Sequence, residues 1–369
     1  MGKNSVLAIG LLAGTIIGAG IFSLPYIVSR LGILSGFFYL IAFALIYFFI
    51  HFMYAEIIKA GSEKHQFFYF AEKYLSKKIA HFASWVVLAG LVFALTVYLI
   101  LAPTFFEIAF GISANLAVFI FWFLGSVFMF ARLNVLGWAE VLGIVGIFSI
   151  IFIVLFSSFG LELKTPIFQK IDLPLFLLPF GPLLFSLAGR SAIPEVVAEY
   201  KSAAKQGKVI NLKKVIFWGT IIPVIVYGFF IVSVLKISPQ VSPESLDSLT
   251  GLSPTLFSLL GIMGLITLWT SYFVIGINVK DILSLDLKYP KFISALIVLI
   301  VPPLFYFLGI RNFLETLSIA GGVFVALESI FVVMMWQKAF PTSKWRQISF
   351  LLYAVFIAAI VYQFINFVF

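Results

Sequence analysis

Long runs of hydrophobic residues, parted by short polar connectors, fill the chain from end to end. A helix needs about 20 apolar residues to cross the hydrocarbon core of a bilayer. By that measure the pattern predicts eleven spans, at 5–28, 33–58, 82–109, 115–131, 137–159, 175–199, 212–236, 255–284, 291–308, 313–337 and 346–368. Composition supports this reading. Of 369 residues, 63% are hydrophobic and only 11% charged, whereas a soluble domain carries about 25% charged residues. The fold class expected is an all-α integral membrane protein forming a single membrane domain over residues 1–369, with no soluble domain at either end.

The connectors set an orientation. With the N-terminus in the cytoplasm, the connectors on that side hold 18 Lys and Arg residues, including Lys59, Lys73, Lys77, Lys78, Lys201, Lys205 and Lys208. The opposite side holds 5: Arg30, Lys164, Lys170, Lys236 and Arg311. This asymmetry predicts a plasma (cytoplasmic) membrane protein with its N-terminus inside and its C-terminus outside. The net charge of +9 then faces anionic lipid, and no nucleic acid is expected as a partner. Residues 64–81, "KHQFFYFAEKYLSKKIAH", mix aromatics with lysines and read as an amphipathic helix on the cytoplasmic interface. The Pro/Ser-rich connector 238–254 reads as an extracellular loop able to fold over an access path.

Two of the apolar runs are interrupted in the same way. "AGIFSLP" (19–25) and "AGRSAIP" (188–194) share Ala-Gly, then a small residue, a branched aliphatic and Pro at equal offsets. Gly and Pro clustered in a helix free backbone N–H and C=O groups, which survive in a membrane only where protein or a polar cavity surrounds them. In secondary transporters such interruptions, at corresponding positions of two related halves, mark the substrate site. The first break lies in span 1 and the second in span 6, so the halves run in opposite directions. The expected plan is an inverted five-plus-five repeat (1–159 and 160–337) with an additional C-terminal helix (346–368). Gly143 with Gly146, and Gly321 with Gly322, read as packing contacts between helices.

Other function classes fit less well. There are no cysteines, and His51, His65 and His81 are scattered without ligand spacing. No catalytic constellation appears, so an enzyme is not expected, nor any cofactor beyond a coupling ion. A channel would need polar residues lining a continuous pore, but the embedded polar residues cluster at the breaks. His51 reads as a helix-packing histidine, and Glu56 and Glu140 as caps of networks on the inner side.

The stretches "GLLAGTIIGAGIFSLPY" (10–26), "FSLAGRSAIPEV" (185–196) and "TSYFVIGINVKDIL" (270–283) resemble amino acid permeases of the APC superfamily. These have the LeuT-type fold, and the closest resemblance is to the amino acid/auxin permease or aromatic amino acid permease branch. The resemblance implies a cation-coupled symporter of a small molecule, an L-amino acid, working by alternating access. In the first break, Gly18, Ala19 and Gly20 would offer amides to the substrate carboxylate, in keeping with the positive potential of a half-helix N-terminus. In the second, Ser186, Ala188, Gly189, Arg190 and Ser191 would form the opposite wall, with carbonyls meeting the amino group. Tyr98 would support the carboxylate, or serve as a core aromatic. Arg190 needs an embedded partner, Glu195 or Glu328, and serves either carboxylate recognition or a structural ion pair. Thr267, Thr270 and Ser271 share one helix face. With the carbonyls of Gly14 and Ile17 they would cage a sodium ion. The alternatives are helix packing for these hydroxyls, and proton coupling through Glu195 or Glu328. Another small amine or a nucleobase-type solute is the alternative substrate; the oligomeric state is not legible.

Overall fold

The computed structural model describes residues 3–61, 67–128, 133–163, 165–208, 210–238, 240–249 and 251–368, leaving the side chains of 128–140 aside. Among these residues all regular structure is helical. Seven helical stretches are long and apolar enough to cross a membrane: 33–59, 77–110, 173–205, 212–237, 254–285, 313–339 and 346–366. An eighth is the pair 4–16 and 19–31, bent by 50°. Three shorter apolar helices, 114–127, 141–157 and 291–307, lie, to within a residue, inside the fourth, fifth and ninth predicted runs.

The elements follow the hydrophobic pattern closely. The first run is split into α1 (Lys3–Ile16) and α2 (Leu24–Leu31), joined by the tight turn Ala19–Ser23. Next come α3 (Ile33–Lys59), the short α4 (Phe67–Tyr74), α5 (Lys77–Phe110), α6 (Ala114–Phe128) and α7 (Leu133–Ser157). The sixth run comprises α8 (Leu173–Leu177), α9 (Phe180–Ser186) and α10 (Ile193–Lys205). After it stand α11 (Leu212–Ile237), α12 (Pro254–Asp281) and α13 (Lys291–Phe307). The tenth run is α14 (Phe313–Ile319), a wide turn at Ala320–Val325 and α15 (Ala326–Ala339); α16 (Arg346–Val368) closes the chain.

Local chemistry fixes the ends. Pro25 and Pro194 stand in the first turns of α2 and α10, where a missing N–H costs nothing. Asn211, Asn312 and Ser76 cap α11, α14 and α5 with side-chain acceptors. Between α2 and α3 the chain turns at Gly32, with φ +81°, and the place of a Cβ there is crowded by Ile167 and Gln169. The same loop caps α3: the N–H groups of Ile33 and Leu34 donate to the carbonyls of Pro166 and Ile167 at 3.1 Å.

Aromatic residues occupy both the outer surface and the core, where Phe22, Phe105 and Phe230 are fully buried. Phenylalanines such as Phe38, Phe119, Phe123 and Phe152 point outward, while Tyr47, Tyr54, Tyr227 and Tyr272 are fully buried. A lipid-facing ring needs no partner, whereas a buried hydroxyl brings polarity inside the bundle. The amphipathic segment forms a helix over 67–74, shorter than expected; residues 62–66 lie outside the described residues. Phe67, Phe70 and Ala71 of α4 are buried. The 238–254 connector folds onto the bundle, with Leu246 and Leu249 at 0% exposure.

Candidate functional site

The two breaks meet inside the bundle. α1 ends at Ile16, and Gly18 adopts an extended conformation (φ −145°, ψ −157°) that ends the helical ladder. A short turn then restarts it, with Ile21 N donating to Gly18 O at 3.2 Å and Ser23 Oγ to Gly20 O at 2.8 Å. The second break has the same construction, with Ala192 N on Gly189 O at 3.2 Å. Gly20 lies directly against the second break: a Cβ there would stand 2.7 Å from Ser186 Cα.

Tyr227 of α11 ties the breaks together. Its hydroxyl lies 2.8 Å from the Ile16 carbonyl and 2.8 Å from the Ser186 carbonyl, and it accepts from the Gly18 backbone N–H. A hydroxyl has one proton and two lone pairs, so the two carbonyls share one donor. The sequence pattern did not single out Tyr227. No local signal distinguishes it from the other tyrosines in apolar runs.

Tyr98 of α5 stands at the first break. Its hydroxyl meets the Ser271 side chain and the Ala19 backbone N–H, and a Cβ on Gly18 would lie 3.4 Å from it. Gly18, Ala19, Tyr98 and Ser271 therefore come together. Gly18 and Ala188 are half-buried, whereas Ala19, Gly20, Ser186 and Gly189 are buried and Ser191 is exposed. The carbonyls of Leu187 and Ala188, and the N–H of Gly20, have no partner among the described residues.

The remaining second-break residues are engaged with protein. The N–H of Gly189 donates to His51 Nε2 at 3.1 Å, and its Cβ position would meet Ile16 Cγ1 at 2.6 Å and Leu12 Cδ1 at 3.0 Å. His51 is thus not a simple packing residue: it holds the second break, and its Nδ1 lies 3.1 Å from Thr220 Oγ1. Arg190 pairs through Nε with Oε1 of Glu328, from α15. Its guanidinium carbon stands 4.8 Å from the Phe67 ring and 5.8 Å from the Tyr54 ring. Of the two partners anticipated, Glu328 is the one engaged; Glu195 is exposed on α10. Glu56 accepts from Trp336 Nε1 at 2.8 Å, while the Glu140 side chain lies outside those described.

The anticipated ion cage is only partly assembled. The carbonyls of Gly14 and Ile17 accept from no described residue, as a ligand position requires. Thr267 and Thr270, however, face α7. Thr267 Oγ1 donates to Met263 O at 2.9 Å and lies 3.3 Å from Gly143 O; Thr270 Oγ1 donates to Thr267 O at 3.0 Å and fills the Cβ position of Gly143. Gly14 meets the neighbouring residue of α7, Ile144, with its Cβ position 3.0 Å from Cδ1. Gly143 and Gly146 do serve packing, against these two threonines.

Known structures share the architecture. A closed form of Mhp1, a nucleobase-cation-symport-1 family transporter with bromovinylhydantoin bound, superposes with a TM-score of 0.60 at 14% identity, over 96% of this chain and 90% of that one. The manganese transporter of Eremococcus coleocola gives 0.63 at 14% identity, over 97% and 85%. MhsT in complex with L-phenylalanine gives 0.54 at 14% identity, over 100% and 98%. At such identity the likeness shows the fold, that of LeuT-type transporters. No curated protein matches the chain in sequence. The model of the tryptophan/tyrosine permease family, by contrast, matches residues 1–366. With two broken helices meeting at a tyrosine-lined point of a LeuT-type bundle, the chain is a membrane transporter and belongs to the tryptophan/tyrosine permease family.

Proposed function

We propose that the protein is a cation-coupled symporter of L-amino acids, aromatic ones foremost, that works by alternating access. The observation carrying this reading is the convergence of the breaks, where the N–H of Gly20 and the carbonyls of Leu187 and Ala188 have no partner among the described residues. A zwitterionic amino acid needs donors for its carboxylate and acceptors for its ammonium group, held a few ångströms apart; amides of the first break and carbonyls of the second provide both. The family name points to tryptophan and tyrosine, and MhsT binds L-phenylalanine. In this reading the three shorter apolar helices also cross the membrane, giving eleven spans, an inverted five-plus-five repeat and α16 as the additional helix. The N-terminus lies in the cytoplasm.

Two cations come into question. Sodium would use the carbonyls of Gly14 and Ile17 with Thr267, Thr270 and Ser271. The proton is the second reading, favoured because the Thr267 and Thr270 hydroxyls face α7 and Ser271 is engaged with Tyr98. Arg190 is a structural partner of Glu328 in this reading, not a ligand of the substrate.

The test is uptake of radiolabelled L-tryptophan and L-tyrosine into proteoliposomes, with unlabelled amino acids, a polyamine and a hydantoin as competitors. Competition confined to L-amino acids is expected. Displacement by the hydantoin alone would overturn the amino acid assignment.

A further inference from the structure

His51 lies within α3 and is fully buried. Its Nε2 stands 3.1 Å from the backbone nitrogen of Gly189, and its Nδ1 3.1 Å from Thr220 Oγ1. A backbone amide can only donate, so Nε2 carries the lone pair and Nδ1 the proton, which it gives to Thr220. The second break therefore rests on a neutral imidazole. The space around Gly189 is filled by Ile16 and Leu12, so its N–H has no other acceptor within reach while the packing holds.

We propose that His51 is the proton-binding residue of the transport cycle, coupling protonation to the geometry of the second break through the Gly189 N–H. The proposal rests on the symporter reading and deepens it by naming the cation and its site. The step moves one proton and no other atom. Nε2 takes a proton from water on the side to which the site is open, and the acceptor for Gly189 becomes a second donor. Two N–H groups then face each other, the Gly189 bond breaks, and the segment from Ser186 to Ala192 must rearrange. Return of the proton to water on the other side restores the bond.

The titratable groups of the elements around His51 are engaged with other protein groups or exposed. α1 presents Leu12 and Ile16 here, and α9 carries no ionisable side chain. α11 presents Thr220 and, two turns on, Tyr227. α3 contributes Tyr47, whose ring lies 5.4 Å from the imidazole and whose hydroxyl donates to the Leu184 carbonyl, and Tyr54. The break itself carries Arg190, neutralised by Glu328 of α15. Farther along α10, Glu199 is bonded to Asn4, Lys201 to the carbonyls of Ile58 and Gly61, and Glu195 is exposed. Arg30 of α2 is exposed.

The experiment uses the full chain in proteoliposomes with radiolabelled L-tyrosine. An inward gradient of about one pH unit should concentrate the label up to about tenfold in the wild type, the limit for one proton per substrate. His51→Gln keeps an acceptor for Gly189 and a donor for Thr220 but does not titrate. It is expected to reach no more than the outside concentration, and to exchange label at a rate that is flat between about pH 5 and pH 8. Concentration by His51→Gln under the pH gradient would overturn the proposal. So would a wild type driven by sodium and not by protons, an outcome that leaves the symporter reading intact; failure of the wild type to move any amino acid would instead sink that reading. Should His51→Gln not fold, Thr220→Val decides. Loss of the acceptor at Nδ1 disfavours the imidazolium, so the midpoint of the exchange–pH profile should fall by about one pH unit, and an unmoved midpoint overturns the proposal.

Discussion

Gly20 and Ser186, each from a different broken helix, touch so closely that a Cβ on Gly20 would stand 2.7 Å from Ser186 Cα. The glycine is therefore required by the contact between the breaks, not by an opening left for the substrate. Gly20→Ala is expected to cost about 1–3 kcal/mol, as overpacking does in a rigid interior. Gly18→Ala should cost little stability, because its extended backbone accepts a side chain and the nearest atom is 3.4 Å away. Its methyl group would instead stand beside the Tyr98 hydroxyl, and we expect about a tenfold weaker Kd for L-tyrosine. Melting curves in detergent beside binding isotherms check both. Equal effects of the two substitutions would show that the breaks do not differ in this way.

Tyr227→Phe removes one oxygen and leaves the Ile16 and Ser186 carbonyls and the Gly18 N–H without their partner. Each buried group left unsatisfied costs about 1–3 kcal/mol. The variant should melt earlier and bind substrate more weakly, since both walls of the site lose their common support. Unchanged melting would mean that the shared hydroxyl carries no weight.

Arg190→Ala leaves Glu328 without its ion partner. Breaking a buried pair costs about 3–5 kcal/mol, and the partial exposure of these side chains (12% and 15%) places the effect toward or below the low end. Arg190→Ala combined with Glu328→Gln should regain much of that stability. A loss of affinity confined to substrates with an α-carboxylate, at unchanged melting temperature, would return Arg190 to the substrate site.

Thr270→Ala and Ser271→Ala separate the two faces of α12. Thr270 lies against Gly143 and Ser271 against Tyr98. Ser271→Ala is expected to weaken substrate binding about three- to tenfold through Tyr98, the worth of about one hydrogen bond, and Thr270→Ala to leave it nearly unchanged. Binding measured with and without sodium checks this. A sodium stimulation abolished by Thr270→Ala would establish the cage with Gly14 and Ile17.

Single cysteines can be placed at Lys208 and Ser253, both exposed, in this cysteine-free chain. Membrane-impermeant labelling should reach them from opposite faces in oriented vesicles, Lys208 from the cytoplasmic one. Labelling of both from one face would overturn the proposed span count.

What was legible in the sequence was local. Gly-Pro clusters act on their own backbone, so both breaks could be read without knowing any neighbour. The need of an embedded arginine for a carboxylate narrowed Arg190 to two partners, one of which, Glu328, is engaged. Roles conferred by distant residues were not legible. Tyr227 reaches Ile16, 211 positions away, and His51 reaches Gly189 across 138. Periodicity put Thr267, Thr270 and Ser271 on one face, but spacing says nothing of what that face meets. A step of about 100° from Thr270 to Ser271 is enough to turn one toward α7 and the other toward α5.

The opening of α1 offers a last consequence. Asn4 is bonded to Glu199, and Leu12 and Ile16 fill the space over Gly189, so α1 and α10 are strapped together at their outer ends and packed together at the breaks. α2 and α9 have separate anchors, on α3 and on the wide turn of the tenth run. Any tilting of α1 must carry α10 with it, as two leaves of one door hung from a common hinge at Tyr227. The door is bolted by Lys201 on the carbonyls of Ile58 and Gly61, and by Arg190 on Glu328. These bolts are polar, so water entering from that side supplies substitute partners for each as it parts, and the swing need not expose a greasy seam.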